Sequence, residues 1–230
     1  MTRRRYYMWM TCVVMTILVL YPTVGQEKQA KAPQKSSKVE LKPGANVSPW
    51  GTIEIELFEN DAPKTAENFV KLAERKYFDG VIFHRVSKEF VIQGGDPTGT
   101  GRGGKTASGK QLDDELNPAA ASYKDGYKRG TVAMANKGPN TNTSQFFIVL
   151  KDLPALPKAY TIFGKVVKGM EVVDRIGGVD ITPGMGQTDG RPVKDIVMKT
   201  VTIAKNPGGN PHAKIEVLQR EPSAPKEKTK

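Results

Sequence analysis

The chain reads as a mostly antiparallel β domain with two helices, and three observations predict it. Residues 52–58 alternate, with Ile53, Ile55 and Leu57 on one face and Glu54 and Glu56 on the other, the period-two pattern of a half-buried strand. Short apolar runs follow at 81–86, 90–93, 131–135, 146–150, 161–166 and 196–203, separated by Gly, Pro and Asn clusters that read as turns. Helical spacing occurs only twice. Pro63 stands where a first helical residue is favoured, and Ala66, Phe69, Val70 and Ala73 follow on one face. Residues 169–176 form a shorter helix that stops at Gly177-Gly178.

The 230 residues suffice for one ordinary domain with tails. The net charge of +11 is unevenly spread: residues 26–49 carry five Lys against two Glu, and 206–230 carry five basic against three acidic groups. The stretch 50–205 is nearly balanced, with 22 basic and 19 acidic side chains. A nucleic-acid binder concentrates its cations on the folded surface, so no nucleic-acid partner is expected. Cys12 is the only cysteine and His84 and His212 the only histidines, too few ligands for a zinc site. Neither a metal nor a cofactor is expected.

The first 25 residues read as an address. Arg3, Arg4 and Arg5 precede an apolar run over 8–21, and Thr23 and Gly25 supply small residues before Gln26. This matches a secretory signal. The run is short for a membrane span, which needs roughly 20 residues, and an uncleaved anchor is the alternative. The protein is therefore expected outside the cytoplasm: periplasmic, secreted or membrane-anchored. Residues 26–49 are a basic linker, and 206–230 a basic flexible tail within which 214–218 offer a short extra strand. The folded domain is placed at 50–205.

Gly99-Thr-Gly-Arg-Gly-Gly-Lys105-Thr106 matches the phosphate-binding pattern G-x-x-x-x-G-K-[ST] letter for letter. That pattern carries meaning only between a strand and a helix, whose N-terminus helps hold the phosphates. Here Gly109 and a polar, acidic run with no apolar stripe follow, so the segment reads as a glycine-rich surface loop. Asp113-Asp114-Glu115 reads as a solvated loop, and Thr143-Ser144 lacks the surroundings of a serine nucleophile.

Two further segments carry a family's imprint. The first is Tyr77-Phe-Asp-Gly-Val-Ile-Phe-His-Arg85-Val, followed by Phe90-Val-Ile-Gln93-Gly-Gly-Asp-Pro; the second is Ala133-Met-Ala-Asn136-Lys-Gly-Pro-Asn140-Thr-Asn-Thr-Ser-Gln145-Phe-Phe147-Ile. They resemble the two signature regions of the cyclophilin peptidyl-prolyl cis/trans isomerases, and flanking segments extend the resemblance over about 50–205. It implies a closed eight-stranded antiparallel barrel with two capping helices, in a monomer that acts on proline-containing peptides and unfolded exported proteins. By resemblance Arg85 is the catalytic residue. Phe90, Val91, Phe147 and Leu156 would hold the proline ring. Gln93, Ala135, Asn136 and Gln145 would border the peptide backbone, and Tyr160 would line the same groove. Many family members have Trp where this chain has Ala155 and His where it has Tyr160. A binding module or chaperone using the same groove without turnover is the alternative.

The physics suits those roles. Rotating a peptide bond meets a barrier of about 18–20 kcal/mol because twisting destroys amide resonance. The twisted prolyl nitrogen regains a lone pair, and a fixed arginine donor binds it better there than in either planar ground state. No nucleophile or titrating base is required. Period-two alternation along 81–86 puts Arg85 on the face of Phe83 and Val81 and turns His84 away as a structural neighbour.

Overall fold

Residues 47–205 and 209–220 are described by a computed structural model. The elements run β1 (Val47–Leu57), α1 (Pro63–Glu74), β2 (Val81–Ile82), β3 (Arg85–Ser87), β4 (Val91–Gly94), α2 (Ala121–Asp125), β5 (Thr131–Met134) and β6 (Phe146–Val149). Then come β7 (Ile162–Lys168), α3 (Met170–Gly177), β8 (Ile181–Gly186), β9 (Asp189–Pro192), β10 (Ile196–Ala204) and β11 (His212–Arg220). The N-terminal address, whether signal or anchor, and most of the linker lie outside the described residues.

The strands form one antiparallel sheet in the order β2-β10-β11-β1-β7-β5-β6-β4-β3-β9-β8. β2 ends that order and β3 stands ninth along it, yet only Phe83 and His84 separate them in the chain. The sheet must therefore curl until those two places meet. This corrects the expected closed eight-stranded barrel. The ladder has eleven strands, and covalent chain rather than hydrogen bonds joins its two sides at Phe83-His84. The helix count is corrected too, because the short α2 joins α1 and α3.

Two boundaries also move. β11 lies inside the segment read as a flexible tail and pairs with both β1 and β10 along its length. Ile215 and Val217 point into the core while Lys214 and Glu216 stay exposed, an alternation already visible at 214–218. β1 likewise starts at Val47, within the expected linker, and its irregular step between Pro49 and Gly51 brings Trp50 under Arg175, 4.1 Å above the indole ring. The domain is thus longer at both ends than 50–205.

The main core fills the inside of the curl. Ile53, Ile55 and Leu57 of β1 meet Phe69 and Leu72 of α1, and Val173 and Ile176 of α3, all 2% exposed or less. Phe69 stacks on Phe78 at 4.9 Å between centroids and meets Phe146 edge-on at 5.6 Å. Each such side chain contributes about 1.5–3 kcal/mol by leaving water. α1 starts at Pro63 without a capping side chain of its own. Glu115, fifty residues on, supplies the cap: its carboxylate accepts from the Lys64 and Thr65 backbone N–H groups and from the Thr65 hydroxyl. A carboxylate there satisfies orphan donors and complements the helix dipole. Asp114 accepts from the Asn140 N–H and the Asn142 amide. The acidic run is thus structural at Asp114 and Glu115, not simply solvated.

Candidate active site

Register places the site. Arg85 of β3 stands opposite Gln93 of β4, Gln93 opposite Phe147 of β6, and Phe147 opposite Ala133 of β5. Directly opposed residues share a face, so this row crosses four adjacent strands on one side of the sheet. The neighbouring row, Val86, Ile92, Ile148 and Val132, is fully buried in the main core. The Arg85 row must then lie on the outer face. This explains the unbroken apolar run at β6, where Phe146 and Ile148 serve the core while Phe147 and Val149 serve a second cluster outside it.

That outer cluster supplies the walls of a cavity of about 140 Å³. Phe90, Val91, Phe147, Leu156 and Tyr160 line it on the apolar side, and Arg85, Gln93, Ala135 and Asn136 on the polar side. Phe147 is braced edge-on by Tyr160 at 5.5 Å and at a tilt by Tyr127 at 6.4 Å. The Tyr127 hydroxyl accepts from the Tyr160 N–H and donates to the Tyr160 carbonyl, each at 3.0 Å, which fixes that wall. Ala155, where many family members carry Trp, is exposed and does not line the cavity. Gln145 does not line it either. It borders an adjoining cavity of about 220 Å³ that shares Gln93, Ala135 and Asn136 with the first.

A polar relay ties the two cavities together. Arg85 Nη1 donates to Gln93 Oε1 at 3.1 Å, Gln93 Nε2 donates to Gln145 Oε1 at 3.0 Å, and Gln145 Nε2 donates to the Gly101 and Gly103 carbonyls. Arginine offers only donors, so it dictates which way both amides face. The other edge of the guanidinium meets Asp189. Nε lies 2.9 Å from Oδ1 and Nη2 lies 2.5 Å from Oδ2, a bidentate fork. Both side chains are largely shielded, at 32% and 18% exposure for Arg85 and Asp189. The guanidinium holds the Asp189 carboxyl below the usual range, against the opposing effect of partial burial. Arg85 is thus both an acid-paired strand arginine and a cavity-lining one, because the carboxylate occupies one edge only.

The sequence reading placed Arg85 on the face of Phe83 and Val81, and the structure corrects this. Val81, Phe83 and Val86 all enter the main core. The ladder breaks between Ile82 and Arg85, and the three-residue step from Phe83 to Val86 resets the alternation, turning Arg85 outward. His84 is 7% exposed, neither ring nitrogen has a hydrogen-bond partner among the described residues, and it does not line either cavity. Asp189 was missed altogether. Its only local sequence signal is an acid in a Gly-Gln-Thr-Asp-Gly turn, and 104 residues separate it from its partner.

The phosphate-loop look-alike folds around an internal anion. The buried Asp96 carboxylate accepts the Thr98, Thr100 and Gly103 backbone N–H groups and the Thr98 hydroxyl. Those bonds hold its carboxyl below the ordinary value in spite of burial. The amides that would cradle a phosphate already hold an anion, and no helix follows the loop directly.

Comparison with known proteins agrees with this architecture. Residues 45–203 match the family model described as cyclophilin type peptidyl-prolyl cis-trans isomerase/CLD. The chain is 52% identical over 129 residues to peptidyl-prolyl cis-trans isomerase-like 1 of Neurospora crassa, covering 56% of this chain and 77% of that one. It is 45% identical over 157 residues to the human peptidyl-prolyl cis-trans isomerase-like 3, covering 68% and 92%. A cyclophilin type isomerase of Cryptosporidium parvum, crystallised in the presence of the dipeptide Ala-Pro, superposes with a TM-score of 0.61 at 37% identity, over 70% of this chain and 98% of that one. The chain belongs to the cyclophilin-type peptidyl-prolyl cis/trans isomerase family. It is an enzyme of that class.

Proposed function

We propose that Arg85 is the catalytic residue of this isomerase and that the Phe90, Val91, Phe147 and Leu156 slot seats the proline ring. The observation that carries the reading is the cavity itself, where a guanidinium edge and an apolar wall share one opening. Of the five guanidinium N–H donors, three serve Asp189 and Gln93, leaving one on each terminal nitrogen for a substrate. Gln93, Ala135 and Asn136 border the peptide backbone from the polar side, and Tyr160 closes the apolar wall. Gln145 acts from behind by orienting Gln93. The apolar walls bind planar and twisted proline alike, while the guanidinium discriminates between them. Seating the ring thus governs KM, and the arginine governs kcat.

Leu156 tests the slot with little risk to the fold, since it is only half-buried. In a coupled-protease isomerisation assay, Leu156→Ala is expected to raise KM about five- to twentyfold and leave kcat within about twofold, as partial loss of one leucine's burial implies. A wild-type KM in that variant would remove Leu156 from the slot. The proposed clients are exported proteins whose folding waits on X-Pro bonds, a reading supported by the basic and apolar start of the chain. Fractionation with N-terminal sequencing of the natural protein checks it. A mature chain beginning near Gln26, or an intact chain in the membrane fraction, is expected; an intact cytosolic chain would overturn export.

A further inference from the structure

The segment Asp189-Gly-Arg-Pro192 lies outside the cavity, yet it reaches the reaction through Arg85. Three features fix it. Gly190 lets β8 and β9 approach: a side chain there would place its first carbon 2.0 Å from the Thr182 carbonyl oxygen. Arg191 donates from Nη1 to the Gly99 carbonyl at 3.1 Å and from Nη2 to Asp195 at 3.0 Å, pinning the hairpin to the glycine-rich loop. Asp189 pairs in the ladder with Ser87, two residues along β3 from Arg85, which brings its carboxylate to the Nε edge of the guanidinium. The hairpin thus presents one fixed anion to one fixed edge of the arginine.

From this geometry we infer that Asp189 is a positioning residue of the isomerase site, holding the Arg85 guanidinium in the plane that points its remaining donors at the prolyl nitrogen. The inference rests on the reading of Arg85 given above. An arginine held only by Gln93 could swing about the single Nη1 contact. The fork from Asp189 adds two more anchors at a different edge and removes that freedom. The carboxylate also offsets part of the charge that the twisted nitrogen sees. Orientation and neutralisation oppose each other, and the geometry favours orientation because the carboxylate grips the edge away from Gln93. Asp189 does not line the cavity, so it has no direct part in seating proline.

Steady-state kinetics on the full chain separates these effects. Asp189→Ala is expected to lower kcat about ten- to thirtyfold with KM within about twofold, the scale on which a slightly misplaced group loses its effect. Asp189→Asn keeps an acceptor for Nε but no charge, and it is expected to stay within about threefold of wild type. Adding Asp189→Ala to Arg85→Ala should change nothing further. Wild-type kcat in Asp189→Ala, beside an Arg85→Ala that has lost activity, overturns the inference and leaves the arginine reading intact. Wild-type kcat in Arg85→Ala overturns both. A further loss in the double variant also overturns it, since Asp189 would then act by another route. If Asp189→Ala unfolds, the wild-type protein supplies the test by NMR: a slowly exchanging Arg85 Nε proton at neutral pH is expected, and a freely exchanging one contradicts the anchor.

Discussion

Replacing Arg85 with alanine is expected to lower kcat/KM for X-Pro isomerisation by about a hundred- to a thousandfold, almost wholly in kcat. The scale is that of removing one preorganised donor from a site where charge develops in the transition state. The donor is preorganised here, because Asp189 and Gln93 hold two different parts of the guanidinium before substrate arrives. The guanidinium stands beside an apolar wall of Phe90, Phe147 and Leu156, where the lower local dielectric strengthens an electrostatic contact. Stopped-flow or low-temperature coupled-protease assays read the loss directly. The alanine variant should retain its fold, since Arg85 belongs to the outer row and not to the main core. Lysine at the same position is expected to recover little. It cannot form the side-on fork with Asp189 and still reach Gln93.

A second large effect is expected at acid pH and traces to His84. Its imidazole is 7% exposed with neither nitrogen hydrogen-bonded among the described residues, and Gly101 packs over its Nε2 edge. Burial pushes its pKa from 6.5 down to about 4, with Arg191 and Arg85 adding to the shift and Asp96 opposing it. Above pH 6.5 the ring is neutral in both the folded and unfolded chain, and no dependence arises. Between 6.5 and about 4 the unfolded chain takes up the proton and the folded one does not, so stability falls as the pH falls. The full loss is about 3 kcal/mol, reached near pH 4, below which both states are protonated. Glu54, Asp96 and Asp189 are carboxylates held below their ordinary values, so they add to the loss from about pH 5 downward, where the unfolded chain begins to protonate its carboxylates, and contribute little in the upper part of this window. Urea unfolding at pH 7 and about pH 5, above the range where the carboxylates contribute, should show the decline in wild type and a much flatter response in His84→Phe. An equal decline in both would place the titrating group elsewhere.

Much of the fold was legible because it rests on local pattern. The alternation at 52–58 marked the core face of β1, and Pro63 with the Ala66, Phe69 and Ala73 stripe marked α1. The candidate site was legible in that nine of its ten expected residues line one cavity while Gln145 stands one hydrogen bond behind. What escaped was set by pairing rather than by pattern. β11 carried a correct alternation at Ile215 and Val217, outweighed by the proline, glycine and lysine around it; only the ladders to β1 and β10 make it a strand. The β8–β9 hairpin has Pro183 and three glycines and almost no apolar periodicity, so register against β3 and the close approach at Gly190 define it. Asp189 comes with that hairpin, and no local rule assigns a lone turn carboxylate to an arginine across the sheet. The orientation of Arg85 was misread for the same kind of reason. Alternation presumes an unbroken strand, and the strand breaks at Phe83-His84, where the curl needs the chain to cross.

The proposed catalysis requires an arginine that favours the twisted amide over the planar one. NMR exchange spectroscopy on an Ala-Pro peptide, with wild type and Arg85→Ala at matched occupancy, separates that preference from binding. Peptide affinity within about threefold and on-enzyme cis–trans exchange slowed at least about a hundredfold is the predicted result. Undiminished exchange at equal occupancy would contradict it.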